Sequence, residues 1–226
     1  IDIAVIRLPR ISNFTDFSPF ERYGNVSLRY VDSVGDLHQP DMIILPGTKS
    51  TIADLRWLRQ CGLEAAIHKA ADAGTLVFGV CGGYQMLGRT VSDPEQVEAA
   101  GTTEILGMGL LEMDTIFLGE KVQTQTTGVF SGISGMLSDL NGMAYSGYEI
   151  HMGRSEEEMP ALAGTGNVYG SYVHGVFDAS GISDTILKAL CVRKGIDFDA
   201  LETFDISEYK EHQYDLLADA VRSGLD

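Results

Sequence analysis

The sequence is poor in cations, in cysteine and in long apolar runs, and each shortage excludes a class of protein. Lys and Arg number 16 against 32 Asp and Glu, which gives a formal net charge of −16 at pH 7. Binding to nucleic acid or to an anionic membrane surface requires clustered cations, so neither partner is expected. No apolar run approaches the roughly 20 residues that a membrane-spanning helix needs.

Three cysteines occur, Cys61, Cys81 and Cys191, and they lie far apart in the sequence. An odd number of distant cysteines fits a reduced, cytoplasmic setting better than a disulfide framework. No Cys-x-x-Cys pair or paired-histidine spacing is typical of a metal site, so no metal is expected. The chain opens directly into an apolar strand without an initiator methionine, which suggests a processed chain or a segment of a longer protein.

Apolar runs and helical patterns alternate through the first half of the chain. Strands are predicted at residues 3–8, 27–31, 42–45 and 76–79, and helices at 50–60 and 63–73. Later strands are predicted at 111–117, 122–130, 144–150 and 168–173, and closing helices at 183–194 and 207–223. This order predicts a single α/β domain over residues 1–226, with a doubly wound, mostly parallel sheet flanked by helices and an antiparallel extension.

Residues 76–88, Leu-Val-Phe-Gly-Val-Cys-Gly-Gly-Tyr-Gln-Met-Leu-Gly, predict a strand, a sharp turn and a helix, with Cys81 on the turn. A catalytic nucleophile is commonly presented in this way above a sheet. The helix would direct its free N–H groups at the sulfur and favour the thiolate. A lone cysteine is more often a buried packing residue. Packing alone does not require Gly79, Gly82 and Gly83 around it. This segment therefore supports a catalytic cysteine and a buried packing cysteine equally.

A cysteine nucleophile needs a base, and five histidines are available. His174 follows an apolar strand, where α/β sheets place residues that contact ligands, and it is favoured over His151 in a similar setting. His38, His68 and His212 fit ordinary surface or packing positions.

Residues 46–51, Pro-Gly-Thr-Lys-Ser-Thr, superficially resemble a phosphate-binding loop. The first glycine of that motif is missing, and Thr48 occupies the position of the second. The segment is therefore interpreted as a strand-to-helix turn, capped by Ser50 or Thr51. The polar, aromatic segment 10–17 has residue types that suit surface recognition as well as a plain connecting loop, and composition favours the connecting loop.

Five segments together carry a resemblance to a known family. The Cys81 segment resembles the nucleophile turn of class I, triad-type glutamine amidotransferases, which have a flavodoxin-like core. Residues 6–16, 45–51, 147–153 and 172–178, in that order, narrow the resemblance to the C-terminal glutaminase domains of the cobyric acid synthase family. The resemblance covers nearly the whole chain.

The resemblance implies that Cys81 attacks glutamine and that His174 transfers protons. Backbone N–H groups of Gly82 and of Gly47 or Thr48 would hold the oxyanion. Typical relatives carry an acid two residues after the histidine, whereas this chain has Val176.

Glu149 and Asp178 are the candidates that the sequence offers for an orienting acid. Gln85, Tyr148 and His151 are expected to contact the substrate.

The resemblance also implies a partner domain. In that family an ATP-binding synthetase domain precedes the glutaminase domain and uses the ammonia to amidate adenosylcobyrinic acid a,c-diamide. That domain, with its ATP and Mg²⁺, is absent from this sequence, so the glutaminase domain is expected to need no cofactor. The corrin is expected to bind only through the synthetase domain, since a chain of charge −16 repels a polycarboxylate.

Other interpretations remain open. The same chemistry could serve a different acceptor, as in cobyrinic acid a,c-diamide synthase or a ligase that amidates peptidoglycan precursors. A cysteine hydrolase and a non-catalytic module on a similar sheet are the more distant alternatives.

Overall fold

Two β-sheets organise the chain. The computed structural model describes residues 1–98, 101, 103–155, 160–179 and 181–201, with the backbone alone for 120–122 and 152–155. The strands are β1 Asp2–Ile6, β2 Ser27–Val31, β3 Met42–Leu45, β4 Leu76–Val80, β5 Thr90–Ser92, β6 Glu104–Leu106, β7 Asp114–Val129, β8 Ala144–Ser155, β9 Ala163–Thr165 and β10 Val168–Ser171.

The larger sheet has six strands in the order β2-β1-β3-β4-β10-β9. All its neighbouring strands are parallel except the β9–β10 pair. Side chains alternate between two apolar clusters, with Val5 and Ile44 on one face and Ala4 and Ile43 on the other. Both faces are covered, which explains why these strands are continuous apolar runs.

Helices pack on both faces of this sheet, as the doubly wound prediction requires. They are α1 Val34–Leu37, α2 Thr51–Gln60, α3 Leu63–Asp72, α4 Gly82–Leu87 and α5 Ile182–Lys194. The apolar side chains of α2 and α3 join one cluster, and those of α5 join the other. The predicted helix at 207–223 lies outside the described residues. No helix in the described part of the chain is both long and apolar enough to cross a membrane.

The smaller sheet has four strands in the order β6-β5-β7-β8 and supplies the predicted antiparallel extension. The segments predicted as separate strands at 111–117 and 122–130 are largely one strand, β7, whose register with β8 shifts between Phe117 and Val122. An isolated antiparallel bridge joins Tyr148 of β8 to His174. The smaller sheet therefore reaches the end of β10 in the larger one.

Segment 10–17 is not the plain connector that its composition suggests. A 3-10 helix covers Phe14–Arg22, and Phe17 and Phe20 are buried in the main apolar cluster. Aromatic side chains at this spacing anchor the segment over the sheet. The segment is thereby fixed above the carboxyl ends of the strands, where ligands bind in such folds.

Candidate functional site

Cys81 lies on a tight turn between β4 and α4. Its φ of 50° is in the left-handed region that residues other than glycine rarely adopt. The neighbouring glycines are required by space, because a Cβ at Gly83 would overlap the Leu45 carbonyl and one at Gly79 would lie 2.7 Å from the Tyr84 nitrogen. The Cys81 side chain is 6% exposed, and its Sγ lies 3.4 Å from the Ile150 carbonyl oxygen.

His174 follows β10 at the same edge of the sheet and is 1% exposed. Its Nδ1 lies 2.7 Å from Asp16 Oδ2, and the Gly175 N–H donates to Asp16 Oδ1 at 3.2 Å. The Tyr148 ring stacks on the imidazole at a centroid distance of 5.3 Å. The ring is thus held on an edge by a carboxylate and on a face by an aromatic side chain.

The charge state of His174 follows from these contacts. Burial lowers its pKa, but the hydrogen bonds with Asp16 and Cys81 and the attraction to both groups outweigh burial and raise the pKa from 6.5 to about 9. Hence His174 is protonated at neutral pH. An imidazolium beside a sulfur atom is the arrangement that supports a thiolate nucleophile.

The acid at His174 differs from the sequence-based candidates. Glu149 lies instead beside His151, with its Oε2 3.3 Å from His151 Nε2. Asp178 lies by the next residue, since a Cβ at Gly175 would be 3.1 Å from Asp178 Oδ2.

Asp16 holds Nδ1 from a position 158 residues away, so no local spacing could reveal it. One signal was available: a carboxylate set between Phe14 and Phe17, two residues suited to burial. The side chain of Asp16 is itself buried.

Asn13 also contacts the imidazole, and sequence reasoning did not single it out. Its Nδ2 lies 2.9 Å from Nδ1 and 3.2 Å from Nε2 of His174. Its φ is 54°, a conformation that asparagine tolerates better than most residues.

The predicted oxyanion residues are brought together. Gly82 begins α4, where a backbone N–H has no intrahelical acceptor. A Cβ at Gly82 would lie 2.7 Å from Thr48 Cγ2 and 3.3 Å from the Thr48 nitrogen. One at Gly47 would lie 2.9 Å from His174 Cε1. The turn at 46–48 therefore lies directly against both Gly82 and the imidazole.

A cavity of about 490 Å³ opens at this edge. Its lining includes Cys81, His174, His151 and Gln85. Gln85 is 2% exposed and accepts from Thr51 Oγ1 at 3.0 Å, whereas its Nε2 has no partner among the described residues. A buried amide NH₂ group without a protein partner, on a residue that lines a cavity, is suited to bind a ligand.

Of the other two residues predicted to contact the substrate, only His151 lines the cavity. Tyr148 is partly exposed over the His174 ring. His151 lines the cavity and stacks on Tyr172 at 4.2 Å. Within the described residues, no group of three His, Cys, Asp or Glu side chains could hold a metal ion.

Comparison with known proteins identifies the family. The family described as the CobB/CobQ-like glutamine amidotransferase domain matches residues 2–182. A cobyric acid synthase of Lachnoclostridium phytofermentans is 53% identical over 251 residues, and the match covers 100% of this chain and 48% of that protein. The cobyric acid synthase of Listeria monocytogenes is 39% identical over 245 residues, again covering 100% of this chain and 46% of that protein. The chain thus spans about half the length of the curated relatives that it matches.

Solved structures agree on the fold. A glutamine amidotransferase superposes with a TM-score of 0.59 at 18% identity, covering 83% of this chain and 98% of that one. PurLQS from Thermotoga maritima gives 0.58 at 20% identity, with coverage of 84% and 98%. The matched family covers most of the chain, including the Cys81 turn and His174. The chain belongs to the CobB/CobQ-like glutamine amidotransferase domain family.

Proposed function

We propose that this chain hydrolyses glutamine to glutamate and ammonia through a thioester on Cys81. The observation that carries the proposal is the buried Asp16–His174 pair beside a cysteine on a strained strand-to-helix turn. In this arrangement the carboxylate orients the imidazole, the imidazole transfers protons and the sulfur attacks. With Nδ1 on Asp16, Nε2 is the nitrogen that exchanges protons with Cys81 and with substrate.

The first half of the reaction forms the thioester. The Cys81 thiolate attacks the side-chain carbonyl carbon of glutamine, and the carbonyl oxygen becomes an oxyanion between the N–H groups of Gly82 and of Gly47 or Thr48. One such donor is typically worth about 3 kcal/mol of barrier. The His174 imidazolium gives its proton to the amide nitrogen, the C–N bond breaks and ammonia leaves.

The second half regenerates the enzyme. Neutral His174 takes a proton from water as that water attacks the thioester carbon. The C–S bond then breaks, glutamate leaves and the thiolate–imidazolium pair is restored. Asp16 remains ionised throughout and stabilises the imidazolium.

The lining of the cavity fits a zwitterionic amino acid. It includes Lys49 and Glu98, side chains of opposite charge, together with Gln85, whose Nε2 has no partner among the described residues. The Glu98 carboxylate accepts from the Thr51 and Ile52 N–H groups at 2.6 and 2.8 Å, so it also caps α2. We assign Lys49 to the α-carboxylate of glutamine and the Gln85 Nε2 to a substrate oxygen.

The ammonia is proposed to serve a fused partner. The relatives are named cobyric acid synthase and are about twice as long as this chain. The remainder of such a protein would bind ATP and Mg²⁺ and amidate the corrin carboxylates of adenosylcobyrinic acid a,c-diamide. On this proposal the 226 residues need no cofactor of their own, and the corrin contacts them only through the partner domain.

A glutaminase assay tests the chemistry. The purified chain is expected to release glutamate from glutamine, and Cys81→Ala is expected to stop the release. Diazo-oxo-norleucine, a glutamine analogue that alkylates the nucleophile, should label Cys81 and be blocked by glutamine. Glutamate release that survives Cys81→Ala in the full-length protein would refute the assignment of Cys81 as the nucleophile.

A second assay tests the acceptor. The full-length protein, with ATP, Mg²⁺ and glutamine, should amidate adenosylcobyrinic acid a,c-diamide in preference to cobyrinic acid or a peptidoglycan precursor. Preference for either of the latter keeps the glutaminase and overturns the acceptor.

A further inference from the structure

Asp54 is a buried carboxylate outside the reacting groups. It lies in the first turn of α2 with no exposed surface. It accepts hydrogen bonds from the Arg10 N–H at 3.1 Å, from Arg10 Nη1 at 3.0 Å and from Thr48 Oγ1 at 2.5 Å. A buried charge persists only when it is fully paired, and here all three donors come from two loops of the site.

The two loops that meet at Asp54 have separate tasks. The turn at 46–48 presents the oxyanion amides, and segment 10–16 carries Asn13 and Asp16 to His174. Three further hydrogen bonds join the loops directly. The Ser12 N–H donates to the Gly47 carbonyl at 2.9 Å, and the Arg10 carbonyl accepts from the Lys49 N–H at 3.0 Å and from the Thr48 hydroxyl at 3.2 Å. Asp54 is the only group among the described residues that binds side chains of both loops.

We propose that Asp54 is a positioning residue that holds the oxyanion turn in register with the His174 loop. The inference rests on the proposed glutaminase function and adds to it a residue that touches no reacting atom. Thr48 is the connection, because its hydroxyl donates to Asp54 while its backbone lies against Gly82.

The negative charge is essential to this role. Two carboxylate oxygens serve three donors, one of them the Arg10 guanidinium. Asparagine has one acceptor oxygen and would direct an NH₂ group at a donor, so at least one contact is lost. The loss displaces the turn that stabilises the transition state, whereas the Asp54 carboxylate binds Arg10 and Thr48 rather than Gln85 or the Lys49 side chain, the groups assigned to glutamine binding. The effect therefore falls on kcat rather than on KM.

The test compares Asp54→Asn with a matched control, Asp41→Asn. Asp41 is also a buried carboxylate that accepts from a backbone N–H and from a cation, but it lies at the opposite edge of the sheet. We expect Asp54→Asn to lower kcat roughly 10- to 100-fold, as displacements of about 1 Å do, with KM within about twofold. Alkylation of Cys81 by iodoacetamide, which needs no oxyanion site, should proceed at the wild-type rate. Asp41→Asn should leave kcat unchanged.

Thr48→Val provides a second variant at a partly exposed position, because it removes the hydroxyl that donates to Asp54 at 2.5 Å, together with the longer contacts of that hydroxyl with the Arg10 carbonyl at 3.2 Å and the Ser50 N–H at 3.1 Å. It should reproduce the kcat loss, and the loss in the double variant should be smaller than the product of the two single losses. If Asp54→Asn does not fold, Thr48→Val alone decides.

Three results would overturn the inference. Wild-type kcat in Thr48→Val overturns it, and so does a kcat loss in Asp41→Asn as large as in Asp54→Asn. In both cases the glutaminase function stands. A wild-type chain that neither releases glutamate nor reacts with diazo-oxo-norleucine overturns both proposals together.

Discussion

The carboxyl and amino edges of the six-stranded sheet differ in what their buried polar groups contact. At the amino edge, Asp41 accepts from the Asp2 N–H at 2.8 Å and from Lys194 Nζ at 2.6 Å, and Asn167 Nδ2 donates to two carbonyls. At the carboxyl edge, the Gln85 Nε2 is buried without a partner among the described residues. Asp41 and Asn167 at the amino edge are therefore satisfied within the chain, whereas the amide nitrogen of Gln85 at the carboxyl edge is left for a ligand.

Cavity size does not show which edge of the sheet holds the candidate site. The amino edge holds the larger cavity, about 860 Å³ against about 490 Å³, and its lining includes apolar side chains together with Asp41, Lys69, Arg193 and Lys194. The smaller cavity contains the strained cysteine and the imidazole with the raised pKa. The strained backbone at Cys81 and the raised pKa of His174, rather than cavity volume, identify the candidate site. Residues with perturbed pKa values often cluster at functional sites.

The largest loss of glutamate release should follow removal of the Cys81 sulfur at the carboxyl edge. Cys81→Ala is expected to lower glutamate release by about 10⁴-fold or more, the scale for loss of a nucleophile. Cys61→Ala, which removes a partly exposed thiol at the end of α2, should retain wild-type release. Glutaminase kinetics measure both variants, and equal losses of glutamate release would refute a special role for Cys81.

Asp16→Asn should be the next most severe change. Loss of the carboxylate is expected to lower kcat by about 10²- to 10⁴-fold, since the imidazole loses its orientation and its charge partner. In the wild type, release should fall as pH rises through about 9, where His174 loses its proton. In the variant the fall should begin at lower pH. A pH profile that is unchanged in Asp16→Asn would contradict this role.

The same contact predicts a trend in stability. The pKa of His174 is raised on folding, so its contribution to the free energy of unfolding is complete below pH 6.5 and is lost as pH rises through about 9. Denaturation by urea at several pH values measures this decline. The decline should weaken in Asp16→Asn, and a decline of wild-type size there would assign it to another group.

Gly47→Ala should have an intermediate effect at the carboxyl edge. Its Cβ would lie 2.9 Å from His174 Cε1, so the imidazole or the turn must shift. A displacement of this kind is expected to cost about 10²-fold in kcat. Gly35→Ala, whose Cβ has open space apart from the Ser33 hydroxyl at 3.8 Å, is the control and should retain activity.

The smallest change in activity is expected at the amino edge. Lys194→Met removes the ammonium from Asp41 and should lower the free energy of unfolding by about 1–3 kcal/mol. Glutamate release at a temperature where the variant is folded should match the wild type. A loss of release would show that the two edges are coupled.

Local pattern was sufficient for part of the fold and of the site. The strand, turn and helix around Cys81 were predictable because an apolar run, flanking glycines and a helical pattern are neighbours in sequence. The placement of His174 at the end of β10 followed from the same reasoning. The merging of two predicted strands into β7 did not, because only pairing with β8 holds that strand together across its irregular register.

Asp16 and Asp54 show where sequence reasoning ended. Asp16 reaches His174 across 158 residues, and Asp54 reaches Arg10 across 44. Both aspartates lie in segments whose local pattern indicates only a loop and a helix. Their partners lie in loops that follow β1, β3 and β10, and the order of those strands in the sheet sets which loops meet.

The sequence by itself determined the fold class, the strand, turn and helix around Cys81 and the position of His174 after a strand, because each depends on residues close together in the chain. The tertiary structure decided which carboxylate contacts His174, which loop lies against Gly82 and which cavity is lined by both Cys81 and His174. These contacts depend on parallel strands that bring distant segments to one edge. A buried carboxylate is stable there only because those segments supply its donors.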